Sequence, residues 1–153
     1  MGDETAQAIT ATALLSVFLW IKVVATNVGL GGAKVNAGGR APEDTYQRSA
    51  TQAAEEAKVA QDRAQRIVNN DLENIPYTMV LAWGAVYCIR LAGARGNASA
   101  HIFLMTVFTL CRFAHTIVYT KGLSKPRSLV WMVGVLCSFG IAFNGAVASF
   151  QIP

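Results

Sequence analysis

Four apolar runs, at about 5–30, 74–94, 98–120 and 128–150, constrain this chain more than any other feature. A helix needs about 20 apolar residues to cross the hydrocarbon core, so each run is long enough to span a bilayer. Backbone amides in lipid must be satisfied within the segment, which leaves the helix as the fold of each run. Four such helices use up most of 153 residues, so a single membrane domain over 1–153 is expected, all-α, a four-helix bundle. Charged residues make up only 14% of the chain, against roughly a quarter in a soluble domain.

The stretch 31–73 between the first two runs is polar. Gly31, Gly32, Gly38 and Gly39 suggest a flexible exit from the first span, and Pro42 stiffens the chain beyond them. From about Thr51 the residues are good helix formers, so a helical extension should run into the second span, with a kink at Pro76. Gly93, Gly96 and Asn97 mark a hairpin; Gly122, Ser124 and Pro126 mark the next turn. Asn97-Ala98-Ser99 is formally a glycosylation sequon, but it abuts the bilayer and should be bare. The first span lacks a basic lead and a cleavage site, so it is read as retained.

Charge placement orients the bundle. All nine acids lie between Asp3 and Glu73, and the last eighty positions hold none. Lys34, Arg40, Arg48, Lys58, Arg63, Arg66, Lys121, Lys125 and Arg127 fall on one side, against Arg95 and Arg90 on the other. The positive-inside rule then puts 31–73 in the cytoplasm. The cations are too scattered for a nucleic-acid face, and no metal is expected. Cys88, Cys111 and Cys137 each sit within an apolar run and read as free thiols.

Two cations stand inside apolar runs. Lys22 can carry its ammonium to an interface or a polar interior on its long stem. Arg112 follows sixteen uncharged positions and precedes eight more, so it should face the interior and have a partner. Phe108, Arg112, His115 and Tyr119 recur at helical spacing and share one face. Arg63, Arg66, Asn70 and Glu73 do the same at the entry to the second span, and Glu73, the last acid in the chain, is the natural counter-charge for Arg112. Several fixed cations, a carboxylate, an amide and a phenol suit a small zwitterion with more than one carboxylate. Glutathione fits; other peptides or anionic metabolites would as well.

At this point the motifs resemble a known family, the membrane-associated proteins in eicosanoid and glutathione metabolism (MAPEG). The matching strings are Pro42-Glu43-Asp44; Arg63, Arg66 and then Asn70-Asp71-Leu72-Glu73-Asn74-Ile75; and Arg112 with Ala114-His115-Thr116-Ile117-Val118-Tyr119 and Arg127. They look most like the branch holding microsomal glutathione transferase 1 and microsomal prostaglandin E synthase. Where the family reads Arg-Ala-His this chain has Arg66-Ile67-Val68, and Ala41 replaces an Asn. Trp131 stands where the prostaglandin synthase has Tyr, which favours a general transferase.

The resemblance implies a homotrimer in an intracellular membrane such as the endoplasmic reticulum, with glutathione at each subunit interface. It implies glutathione contacts from Lys34, Arg66, Asn70, Glu73, Arg112, His115, Tyr119, Arg127 and Ser128, with Arg63 in a structural polar core. Arg127 would stabilise the thiolate, with Ser128 as a donor and Asp44 as an acid/base group or a partner of Arg127. The expected reaction is transfer of the glutathione thiolate to a lipophilic electrophile or reduction of a lipid hydroperoxide, both drawn from membrane lipid. Three alternatives stay open: a prostaglandin E synthase-type isomerase, a non-catalytic lipid-binding relative, and a small transporter. The last would want a carboxylate within the spans, and none is expected there unless Glu73 lies deep.

Overall fold

The computed structural model describes residues 2–39 and 54–153, so Arg40, Ala41, Pro42, Glu43, Asp44 and Arg48 lie outside the described residues. Four helices follow in order: α1 (Gly2–Ala37), α2 (Ala54–Ala92), α3 (Ala98–Thr120) and α4 (Ser124–Ser149). All four are long and apolar enough to cross a membrane. At 1.5 Å per residue α1 and α2 reach about 54 and 58 Å, well beyond a hydrocarbon core of about 30 Å, so both project into water.

The helix bounds refine the expected spans. α1 does not loosen at Gly31 and Gly32; it continues to Ala37. It stops where Gly38 takes φ 69° and the Gly39 N–H returns to the Lys34 carbonyl at 2.9 Å, a glycine-capped end. The polar extension does join the second span, and α2 runs through Pro76 as one helix. The hairpin at Gly93 holds one short 3-10 turn with Gly93 at φ 62°. Asn97 then caps α3, its side-chain oxygen accepting from the Ala100 N–H at 2.9 Å.

Each of α1 and α4 packs against both α2 and α3, while α2 and α3 touch more lightly across the bundle. The core is built in layers: Leu19, Ile75, Phe108 and Cys137 in one, Ala82, Ala85, Met105 and Ile141 in the next, and Ala8, Val86, Ile89 and Ala148 toward the hairpin end. Small residues set the closest approach. A Cβ on Gly145 would fall 2.6 Å from Ala85 Cα, so α4 lies almost backbone to backbone on α2. The outward faces carry Trp20, Tyr77, Phe139 and Phe143, all largely exposed. Such a surface is stable only in lipid or against another protein. This is an all-α integral membrane protein.

Candidate functional site

The interior holds charge at the level where α1, α2 and α3 meet. Lys22 is buried and forms an ion pair with Asp71, itself buried on α2. Thr26, one turn further along α1, donates from its hydroxyl to the other Asp71 oxygen at 3.2 Å. Arg112 is fully buried on α3 and donates from Nη1 to Asn70 Oδ1 at 2.9 Å. Asp71 also lies within electrostatic reach of Arg112. The interior carboxylate is therefore Asp71 rather than Glu73, which is exposed on α2 beside Asn74, Tyr77 and Thr78. The reason is geometric: Asp71 follows Ile67 and precedes Ile75 by one turn each, and those two face the core. It also means that a span does contain a carboxylate, but one already engaged by Lys22.

The expected stripe on α3 is present. Phe108, Arg112 and His115 are buried and Tyr119 is half-buried. The Arg112 guanidinium lies 5.7 Å from the Phe108 ring centre, and the His115 and Tyr119 rings are 5.6 Å apart. Arg127, in the first turn of α4, places its guanidinium 4.7 Å from the Tyr119 ring centre. This is cation–π geometry, worth roughly 0.5–1 kcal/mol at an exposed site and more where water is excluded.

These groups border an open cavity of about 430 Å³ lined by Asn70, His115, Tyr119, Arg127, Ser128 and Trp131, with Met132 at its edge. Five of the nine expected contact residues thus meet at one cavity, with Arg112 directly behind Asn70. Lys34, Arg66 and Glu73 do not line it. Lys34 is in the last turn of α1, and Arg66 and Glu73 are exposed on α2. Arg63 reaches instead to the end of α3, donating to the Thr120 carbonyl at 2.9 Å.

The interior is incompletely satisfied. Arg112 Nε and Nη2 and His115 Nδ1 are buried and have no hydrogen-bond partner among the described residues. Burial of such donors and acceptors is costly, so in native proteins nearly all have partners. Room for the guanidinium comes from Gly134 on α4, where an added Cβ would stand 3.2 Å from Arg112 Nη2. Asp71 and Gly134 were both missed at the sequence level. Lys22 was the available signal for the first, since a cation in an apolar run needs its own acid. Nothing in the sequence pointed to the second.

A second buried polar pair, also missed, lies toward the hairpin end. His101 Nε2 and Thr12 Oγ1 are 2.9 Å apart, and Thr12 donates to the Ala8 carbonyl at 2.7 Å. Thr12 must therefore accept from His101, which ties α1 to α3 and leaves His101 Nδ1 without a partner among the described residues.

No curated protein matches the chain. The family model for MAPEG matches residues 5–147, nearly the whole described bundle and all of the cavity wall, and the chain belongs to the MAPEG family.

Proposed function

We propose that this protein is a membrane-bound glutathione transferase of the branch that holds microsomal glutathione transferase 1 and microsomal prostaglandin E synthase. The observation that carries the reading is the set of unpartnered guanidinium and imidazole nitrogens on Arg112 and His115, next to a cavity lined by Asn70, Tyr119, Arg127 and Ser128. Two interior cations, Lys22 and Arg112, share one carboxylate among the described residues, Asp71, so an anion at this wall completes the charge. Glutathione supplies two carboxylates, an amine and a thiol of suitable size.

Arg127 holds the thiolate. A thiol of ordinary pKa is only a few per cent ionised at neutral pH, and a permanent cation beside it raises that fraction. The sulfur attacks an electrophilic carbon of a lipophilic substrate, the leaving group departs with the bonding pair, and the thiol proton passes to water. With a lipid hydroperoxide, the sulfur attacks the terminal oxygen and the O–O bond breaks. The alkoxide takes a proton, and a second glutathione reduces the resulting sulfenic acid to the disulfide. The cavity is open and takes residues of α2, α3 and α4 but none of α1, which favours a homotrimer in which a neighbour brings Lys34, Arg66 and Glu73 to the ligand. We place it in an intracellular membrane such as the endoplasmic reticulum, with 31–73 in the cytoplasm on the strength of the cation bias.

Calorimetric titration of detergent-solubilised protein with glutathione, paired with turnover of a chromogenic electrophile, tests this reading. Arg127→Ala should abolish conjugation while glutathione affinity stays within about tenfold, since a thiolate-stabilising cation acts mainly on the reacting state. Equal loss of both would make Arg127 a binding anchor, and no glutathione binding by the unaltered protein would end the proposal.

A further inference from the structure

A larger groove lies on the other side of α3. About 620 Å³ of space is bounded by Ile21, Ala25 and Gly29 of α1, Ile67 of α2, and Phe113 and Ile117 of α3. It shares no lining residue with the cavity of Asn70 and Tyr119. Its volume falls within the range of small-molecule sites. The wall is apolar even where its residues are not. Thr116 and Thr120 donate their hydroxyls to the Arg112 and Thr116 carbonyls, and Thr26 is engaged by α1 carbonyls and Asp71. The Lys22 ammonium is held by Asp71, leaving its alkyl stem at the inner end.

Charge is concentrated at one end only. Arg63 borders the groove and spends Nη1 on the Thr120 carbonyl, but among the described residues it has no carboxylate within ion-pair distance. Exposed Lys121 follows Thr120 directly, and Gly122, at φ 71°, turns the chain beside the guanidinium: a Cβ there would lie 3.8 Å from Arg63 Nη2, in ordinary contact. This end lies on the cation-rich side of the bundle.

We propose that this groove binds an anionic phospholipid of the same leaflet, with one acyl chain along α1 and α3 and the phosphate on Arg63 and Lys121. An acyl chain matches a wall whose polar atoms are already satisfied, and a phosphate matches a forked cation left without an acid. The inference is independent of glutathione chemistry, because α3 separates the two sites.

Native mass spectrometry of the solubilised protein, titrated with dioleoyl phosphatidylserine, dioleoyl phosphatidylcholine and oleate, tests it. The serine lipid should bind about fivefold more tightly than the choline lipid, the preference expected of one basic residue at a headgroup. Arg63→Gln together with Lys121→Gln should erase that preference while acyl binding remains. Gly29→Leu puts an isobutyl group into the groove from a position where the Cβ itself meets no atom within 4 Å. It should lower binding of both lipids and leave glutathione affinity unchanged. If Gly29→Leu does not fold, Ala25→Leu, one turn away on the same wall, decides the same point. Equal affinity for the two lipids, undiminished binding of both lipids by the groove-filling variants, or tighter binding of oleate than of the serine lipid would each overturn the proposal.

Discussion

Replacing Asp71 with Asn is the sharpest test of how the interior is held together. The substitution keeps the shape of the side chain and an acceptor for Thr26, but removes the sole carboxylate facing Lys22 and Arg112 among the described residues. Lys22 is 4% exposed, Asp71 1% and Arg112 fully buried, so water cannot replace the lost charge. Breaking one partner of a buried pair costs about 3–5 kcal/mol, because the other charge remains buried without compensation. For a chain of this length each kcal/mol moves the unfolding midpoint by about 2–4 °C, so Asp71→Asn should lower it by about 6–20 °C. Thermal unfolding of the protein in a mild detergent, followed by far-UV circular dichroism, measures the shift. The double variant Lys22→Met with Asp71→Asn should recover part of the loss, since an apolar replacement of the whole pair is far better tolerated. A single variant within about 1 kcal/mol of the parent, or a double variant whose loss equals the sum of the singles, would refute the account.

Three further outcomes rest on the same geometry. Gly134→Ala puts a methyl 3.2 Å from Arg112 Nη2, and with Nη1 tied to Asn70 the guanidinium must shift; glutathione affinity measured by calorimetry should fall about tenfold, the loss of one charge-assisted hydrogen bond. Gly145→Ala sets a methyl 2.6 Å from the α2 backbone and should destabilise the bundle by about 1–3 kcal/mol, whereas Gly84→Ala, with nothing within 4 Å, should leave the detergent unfolding midpoint in place. Glu73→Gln should weaken glutathione binding without lowering the unfolding midpoint, since the carboxylate is exposed on α2; an unchanged dissociation constant removes it from the site.

The helices were legible because hydropathy and length act locally. The helix α3 runs from Ala98 to Thr120, between the turn residues that the sequence shows on either side. The α1 end at Ala37 was not legible, because Gly31 and Gly32 look like breakers in the sequence. A glycine costs a helix only about 1 kcal/mol, and α1 continues past both to a cap at Gly38. The α3 stripe was legible for a similar reason: four residues of one helix share a face whatever packs against it. The partner of Arg112 was not. Choosing between Asp71 and Glu73 requires the rotation of α2 about its axis, and that is set by small residues such as Ala82 and Ala85 against Gly145, whose role is visible only once the helices are packed.

The rotation of α2 decides more than one contact. With Ile67, Asp71, Ile75 and Thr78 turned inward, Asn70 is left at the edge, where it meets Arg112, and Arg66 and Glu73 point out of the bundle. A carboxylate and a guanidinium on a surface flanked by Tyr77 and Val80, both largely exposed, are poorly placed against lipid chains. The same helix therefore presents paired charge inward and, among the described residues, unpaired charge outward, one turn from an open cavity. A second copy supplying the missing wall would cover Glu73 and give the buried nitrogens of Arg112 and His115 a shared anionic guest. Assembly and ligand binding are then linked: glutathione should raise the resistance of the oligomer to dissociation in detergent, and disrupting the oligomer should weaken glutathione binding by the same factor.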